Sequence, residues 1–245
     1  MDISLWNLIL AFLSMAIPVL IFRHYDLKLN KDLLIGMVRM VLQLSLVAVY
    51  LEWIFVLNNA WINSLWVLIM VLIGADTVVR RINIPRKLFL VPLMLSGFIS
   101  MVIIDTFFIG LVIRPEYFFD ARYFIPISGM VLGNSLNHNI VGLTAWFEGM
   151  TKKKELYYFL LTNGGNERNA MRPFIQDALR KGLNPMIATM SVMGLISLPG
   201  MMTGQILGGA SPAVAIKYQI MIMLAIFTGC TLTLLLSILF VRKKI

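Results

Sequence analysis

Apolar residues run along this chain in seven long blocks, at residues 3–22, 33–57, 61–79, 88–113, 124–147, 186–207 and 216–241. About 20 mostly apolar residues cross a bilayer as one helix. The pattern therefore predicts an all-α polytopic membrane protein with seven transmembrane helices. The polar segments between the blocks span about ten residues or fewer, apart from residues 148–185. The first block has Asp2 and no Lys or Arg ahead of it, and its apolar run is long. It reads as a span rather than a cleaved leader.

Basic residues give the blocks a direction. The segments 23–32, 80–87 and 148–185 and the C-terminal tail together hold 17 of the 21 Lys and Arg residues. All four lie on one side of a seven-helix path, which places the N-terminus outside and the C-terminus in the cytoplasm. The cell's inner (plasma) membrane is the expected location.

Composition agrees with this picture and narrows the function. Of 245 residues, 59% are hydrophobic and 13% charged, with a mean hydropathy of +0.85. Soluble domains carry about 25% charged residues. The net charge of +9 belongs to the cytoplasmic loops and not to a nucleic-acid surface, since no basic stripe interleaves with aromatics. Cys230 is the single cysteine, which excludes a disulfide framework or a cysteine metal site within one chain. Residues 1–245 read as one transmembrane domain without a nucleotide-binding fingerprint, so any ATPase driving it is another chain.

Polar residues within spans are costly and usually face a bundle interior or a cavity. Arg39 and Gln43 lie one helical turn apart in the second block. Arg39 is only about 9 Å from the inner end at 1.5 Å per residue, so it either snorkels or lines a pathway. Glu52 and Asp105 lie toward outer helix ends, within reach of interfacial water, and Asp76 has Arg80 at i+4, a local ion pair. The fifth block reads IPISGMVLGNSLNHNIVGL. Gly129 and Gly133 form a close-packing GxxxG pair. Asn134, Asn137 and His138 are either helix-packing groups or a polar lining, and His138 is either hydrogen-bonded structure or a ligand.

The sixth block contains GLISLPGMMTGQILGGASP, with five glycines and two prolines. Gly200, Gly204 and Gly208 share one face, beside a row of Met201, Gln205 and Gly209. Pro199 removes a backbone hydrogen bond near mid-span. The pattern predicts a helix that packs closely, against Gly129 and Gly133 of the fifth span, and bends at Pro199. Met201 and Met202 offer thioethers to a soft metal, or fill gaps in the packing.

In the long cytoplasmic segment, TNGGN breaks one helical run and Asn166 caps the next. Met171, Phe174, Ile175, Ala178 and Leu179 recur at helical spacing, with Gly182 and Pro185 as stop signals. This predicts a short amphipathic helix on the cytoplasmic face, resting on lipid or docking a partner.

LPGMMTGQIL (198–207), AIKYQI (215–220), IPISGMVLGN (125–134) and the Arg39–Gln43 pair together resemble the FetB-type ABC-transporter permeases. These are bacterial metal or iron exporters similar to plant permeases linked to aluminium tolerance. The resemblance covers nearly the whole chain. It implies a homodimer working by alternating access with two copies of a separate ABC ATPase, on which ATP and Mg are bound; this chain is a transport subunit with no catalytic residue and no cofactor of its own. It also implies that LTNGGNERNA (161–170) leads into a coupling helix that docks on the ATPase, through Gly164, Gly165, Glu167, Arg168, Ala170, Arg172 and Pro173. Such loops carry an acidic residue five or six positions before the glycine, where this chain has Phe159 and Tyr158, and Gly165-Asn166 stands for the usual Ala-Thr. The candidate pathway residues are Arg39, Gln43, Asn134, Asn137, His138, Met201, Met202 and Gln205, and the helix-packing or hinge set is Gly129, Gly133, Pro199, Gly200, Gly204 and Gly208.

Other readings remain open. An ion-coupled carrier would use buried acids, whereas the acids here lie near helix ends. A membrane enzyme would need a catalytic constellation, yet the two histidines, His24 and His138, lie in a loop and a lone span. A small organic or amphiphilic solute is as compatible with the few carboxylates as a metal is.

Overall fold

The computed structural model describes residues 4–163 and 166–242, and among them most residues are helical, with no strand. The chain divides into two units, Met1–Leu57 and Asn58–Ile245.

The first unit holds α1 (Leu5–Leu13), α2 (Ala16–His24) and α3 (Asn30–Leu57). The first apolar block is thus two helices. Pro18 has no N–H for the carbonyl of Ser14, so the ladder is interrupted there, and that carbonyl accepts from the Ile17 N–H instead, at 3.2 Å. Ile54 is the one buried residue among those described in this unit. Apolar helices with so little core of their own are suited to hydrocarbon rather than to water.

The second unit is a helix bundle. It contains α4 (Ala60–Ile82), α5 (Arg86–Phe107) running into a π-helical segment (Phe108–Ile113), α6 (Ala121–Lys152), α7 (Lys154–Thr162), α8 (Glu167–Val192), α9 (Gly200–Leu207) and α10 (Pro212–Val241). Asn59 caps α4 by accepting from the backbone N–H of Trp61 at 2.9 Å. Asn83 ends that helix at φ 59°, a left-handed position asparagine tolerates. There Asp76 holds Arg80 at 2.8 Å, as its spacing predicts, and Arg86 at 2.7 Å. α6 is the centre, packed against α4, α8 and α10, while α5 closes the bundle against α4 and α10. Trp146, Leu143, Ala178, Leu234 and Ile238 are fully buried where α6, α8 and α10 meet.

Among the described residues, five helical stretches are long and apolar enough to cross a membrane by length and composition: Trp6–His24, Asn30–Leu57, Ala60–Ile82, Arg86–Ile113 and Pro212–Val241. The predicted fifth span lies within α6, whose row of Asn and His makes it more polar than these. The predicted sixth span is not one helix. α8 ends at Val192, residues 193–199 are irregular, and α9 is only eight residues long. The expected bend at Pro199 is a complete break.

The cytoplasmic segment also differs from its prediction. No short helix ends at Gly182. α8 continues through Gly182 and Pro185 to Val192, because tertiary packing overrides both stop signals. Gly182 is buried against α6 and α10, where only a residue without a Cβ fits. Pro185 is exposed and costs the helix one bond on an exposed face. Asp105 likewise departs from its expectation of meeting interfacial water. It is 4% exposed, and the Ser128 hydroxyl donates to its Oδ2 at 2.9 Å.

Candidate functional site

The residues that break the sixth span also shape a cavity. Leu198, preceding Pro199, is biased toward extended backbone. Gly194 adopts φ +85°, and its N–H donates to the Ser197 carbonyl at 3.0 Å. Met193 and Ser197 pair as an isolated bridge. After α9, Gly209 takes φ +97° while the Ala210 N–H returns to the Gln205 carbonyl at 3.0 Å, a glycine-dependent helix stop. Two turns therefore isolate α9 and lay it against α10.

Between the end of α8, the break, the start of α9 and the first half of α10 lies a cavity of about 480 Å³. Its wall includes four methionines, Met190, Met193, Met202 and Met223, with Pro199, Leu198, Ile216, Ile220 and Leu224. Gln219 is its one polar side chain and is 7% exposed. The amide Nε2 of Gln219 lies 4.0 Å from the Met193 sulfur, and Oε1 has no hydrogen-bond partner among the described residues. A buried acceptor left unsatisfied costs about 1–3 kcal/mol. Such a group is often explained by a ligand or water that completes it.

The sequence-predicted residues are only partly brought together. Met202 and Pro199 line this cavity, whereas Met201 packs against the core cluster that includes Ile222 and Ile226. Gln205 is half-buried with an unpartnered Oε1. Asn134 and Asn137 are exposed on α6, and the Asn134 amide donates back to the Met130 carbonyl at 2.8 Å. His138 Nδ1 lies 2.5 Å from the Gly182 carbonyl, a structural bond between α6 and α8. Arg39 and Gln43 are exposed on α3.

Among the described residues of the second unit, the glycine face does not receive a neighbouring helix. A Cβ at Gly133, Gly200 or Gly204 would meet no atom within 4 Å, one at Gly208 would meet only carbonyls of its own helix, and one at Gly129 would reach the Met70 sulfur at 3.8 Å. The break before Gly200 turns α9 onto α10, so the pairing with Gly129 and Gly133 is not made. The close-approach glycines are Gly142, Gly182 and Gly229.

At the coupling segment, Gly164 and Gly165 lie outside the described residues. Asn166 caps α8 by accepting from the Asn169 N–H at 2.9 Å. Glu167, Arg168, Arg172 and Pro173 are exposed, while Ala170 is fully buried. α7 packs against α8, with Tyr157 set edge-on to Phe174.

Sequence reading missed Met190, Met193, Gln219 and Met223. Met190 and Met193 at i,i+3, and Gln219 and Met223 at i,i+4, were visible as helix-face pairs. Nothing in the sequence joined the two pairs across the break. It also passed over Asn139, buried with an unpartnered Oδ1 beside Ser135 and Thr233 at a void of about 30 Å³, room for one water. Among the described residues, no group of three or more His, Cys, Asp or Glu is placed to hold a metal ion.

Residues 5–245 match the Uncharacterised protein family UPF0014. The chain belongs to UPF0014. Among its relatives, UPF0014 membrane protein YjkA of Bacillus subtilis is 28% identical over 235 residues, covering 95% of this chain and 92% of that protein. "Probable iron export permease protein FetB" of Escherichia coli is 28% identical over 244 residues, covering 97% and 90%. Protein ALUMINUM SENSITIVE 3 of Arabidopsis thaliana is 31% identical over 214 residues, covering 87% and 77%. No solved structure matches. The resemblance read from the LPGMMTGQIL and AIKYQI motifs is thus shown over the whole chain, and this UPF0014 member is a multi-pass membrane protein.

Proposed function

We propose that this chain is the membrane-spanning permease subunit of an ABC transporter, exporting its substrate by alternating access as a homodimer bound to two copies of a separate ATPase. It crosses the inner membrane seven times, with α1–α2 as the first crossing, α8–α9 as the sixth and α10 as the seventh, N-terminus outside. The observation that carries this reading is α8. One helix of 26 residues, about 39 Å at 1.5 Å per residue, runs from the capped end at Glu167, beside Arg168 and Arg172, to Val192, and carries Met190 of the cavity wall in its last turn. A rigid element joining a cytoplasmic docking surface to a substrate cavity is what two-state gating requires. The relative named an iron export permease supports a metal cargo. The size and apolar lining of the cavity favour a small organic or amphiphilic cargo.

Reconstitution with the ATPase tests the mechanism. The expected result is co-purification in equal copy number and transport that stops with a hydrolysis-dead ATPase. Transport that persists would move the reading to an ion-coupled carrier, with Asp105 as its buried acid. The orientation has its own test. Cysteines at Ser4 and Lys244, in a chain with Cys230 replaced by alanine, are expected to react with impermeant reagents from opposite sides. Reaction from one side would mean an even number of crossings.

A further inference from the structure

We infer that the cavity at the break between α8 and α9 binds a long-chain, uncharged amphiphile that enters sideways from the bilayer and donates one hydrogen bond to Gln219. Three observations carry this. The cavity, about 480 Å³, falls in the range of small-molecule sites and is far roomier than a bare ion and its donors require. No charged side chain lines it, so an ionic group inside would stand unpaired in a medium of low polarity. Gln219, more than nine-tenths buried, presents an unpartnered Oε1 while its Nε2 is turned to the Met193 sulfur. That oxygen calls for a donor, not for a second acceptor.

The route follows from the mouth. Leu198, Ile216, Ile220 and Leu224 line the cavity and are also exposed, Leu198 to 62% and Ile220 to 57%. An opening fringed by exposed apolar side chains is continuous with hydrocarbon. The methionine walls, unbranched and polarisable, adapt to chains of different shape.

This inference rests on the cavity being the substrate site of the proposed permease, and it is tested without the ATPase so that the two can fail separately. The full-length chain in nanodiscs is photolabelled with a long-chain alcohol carrying a mid-chain diazirine, and with the methyl ether of the same probe. Mass spectrometry is expected to place saturable labelling on cavity residues, competed by unlabelled alcohol, with the alcohol favoured over the ether about fivefold, as one hydrogen bond would give. Gln219→Leu should retain labelling and erase that preference. Gln219→Met serves the same purpose if the leucine variant does not fold, and Ile220→Trp, which narrows the mouth, should lower labelling of both probes. Non-saturable labelling spread over exposed helices, or equal labelling by alcohol and ether in the unsubstituted chain, would overturn the proposal. So would a cavity that binds Fe(II) or Ag(I) by calorimetry and takes up neither probe.

Discussion

Replacing Gly182 with valine is expected to destabilise this protein by about 1–3 kcal/mol, the usual cost of overpacking, and the same change at Gly204 to cost less than about 0.5 kcal/mol. A Cβ at Gly182 would lie 2.6 Å from Leu234 Cδ2, 3.1 Å from the His138 carbonyl oxygen and 3.4 Å from the Gly142 Cα. The leucine tip can rotate away, but the two backbone atoms cannot. Gly142 faces the same junction, where an added Cβ would lie 2.6 Å from Leu234 Cδ2 and 3.1 Å from the Ala178 carbonyl oxygen. The two glycines therefore set how closely α6 and α8 approach, with Leu234 of α10 laid across them. Unfolding followed in detergent by heat or denaturant provides the comparison. Adding Leu234→Ala to Gly182→Val should recover only the side-chain part of the loss, since the clash with His138 remains. A Gly204→Val variant as unstable as Gly182→Val would show that α9 is packed against something other than the helices of its own unit, and packing within that unit would no longer explain the glycines.

Reversing the charge of Arg168 and Arg172 together, to glutamate, is expected to abolish ATPase association, or to cut ATP-driven transport by tenfold or more, with the permease still folded. Both residues are exposed on the outer face of α8, opposite the buried stripe of Ala170, Phe174, Ala178 and Gly182, so neither supports the core. Acidic residues near a helix N-terminus also suit its dipole, and Glu167 already stands there. The start of α8 is therefore not weakened by the change. Thermal unfolding, ATPase co-purification and transport are measured on one preparation. If the doubly reversed protein assembles and transports normally, the basic face of α8 meets lipid headgroups and the docking surface lies elsewhere. Loss of transport in step with loss of stability would point to a packing role.

Individual predictions show where sequence reading succeeds. Asn166 caps α8 and Asp76 pairs with Arg80, because each is decided within four residues. Asn134, Asn137 and His138 do lie on one helix, α6, though Asn139 of the same helix was passed over. Their partners were not found, since His138 bonds to a carbonyl 44 residues away.

The sequence by itself determined the class of this protein. Long apolar blocks must lie in hydrocarbon, and a helix satisfies its own backbone there, so composition and block length suffice for an all-α membrane chain. Its family motifs were equally legible, being contiguous. Only the tertiary structure decided the rest. Glycines at 200, 204 and 208 have the small-residue spacing of a packing face, yet no neighbouring helix meets them among the described residues of the second unit, whereas Gly142 and Gly182, which stand outside any glycine repeat, make the close contact. Gly182 and Pro185 looked like an end and are the interior of α8, because burial against α6 and α10 outweighs a helix propensity cost of about 1 kcal/mol for glycine. The cavity depends on Met190 and Met223 standing on different helices across a break. Spacing along a chain records which side chains share one helix face, and it holds no record of which faces meet.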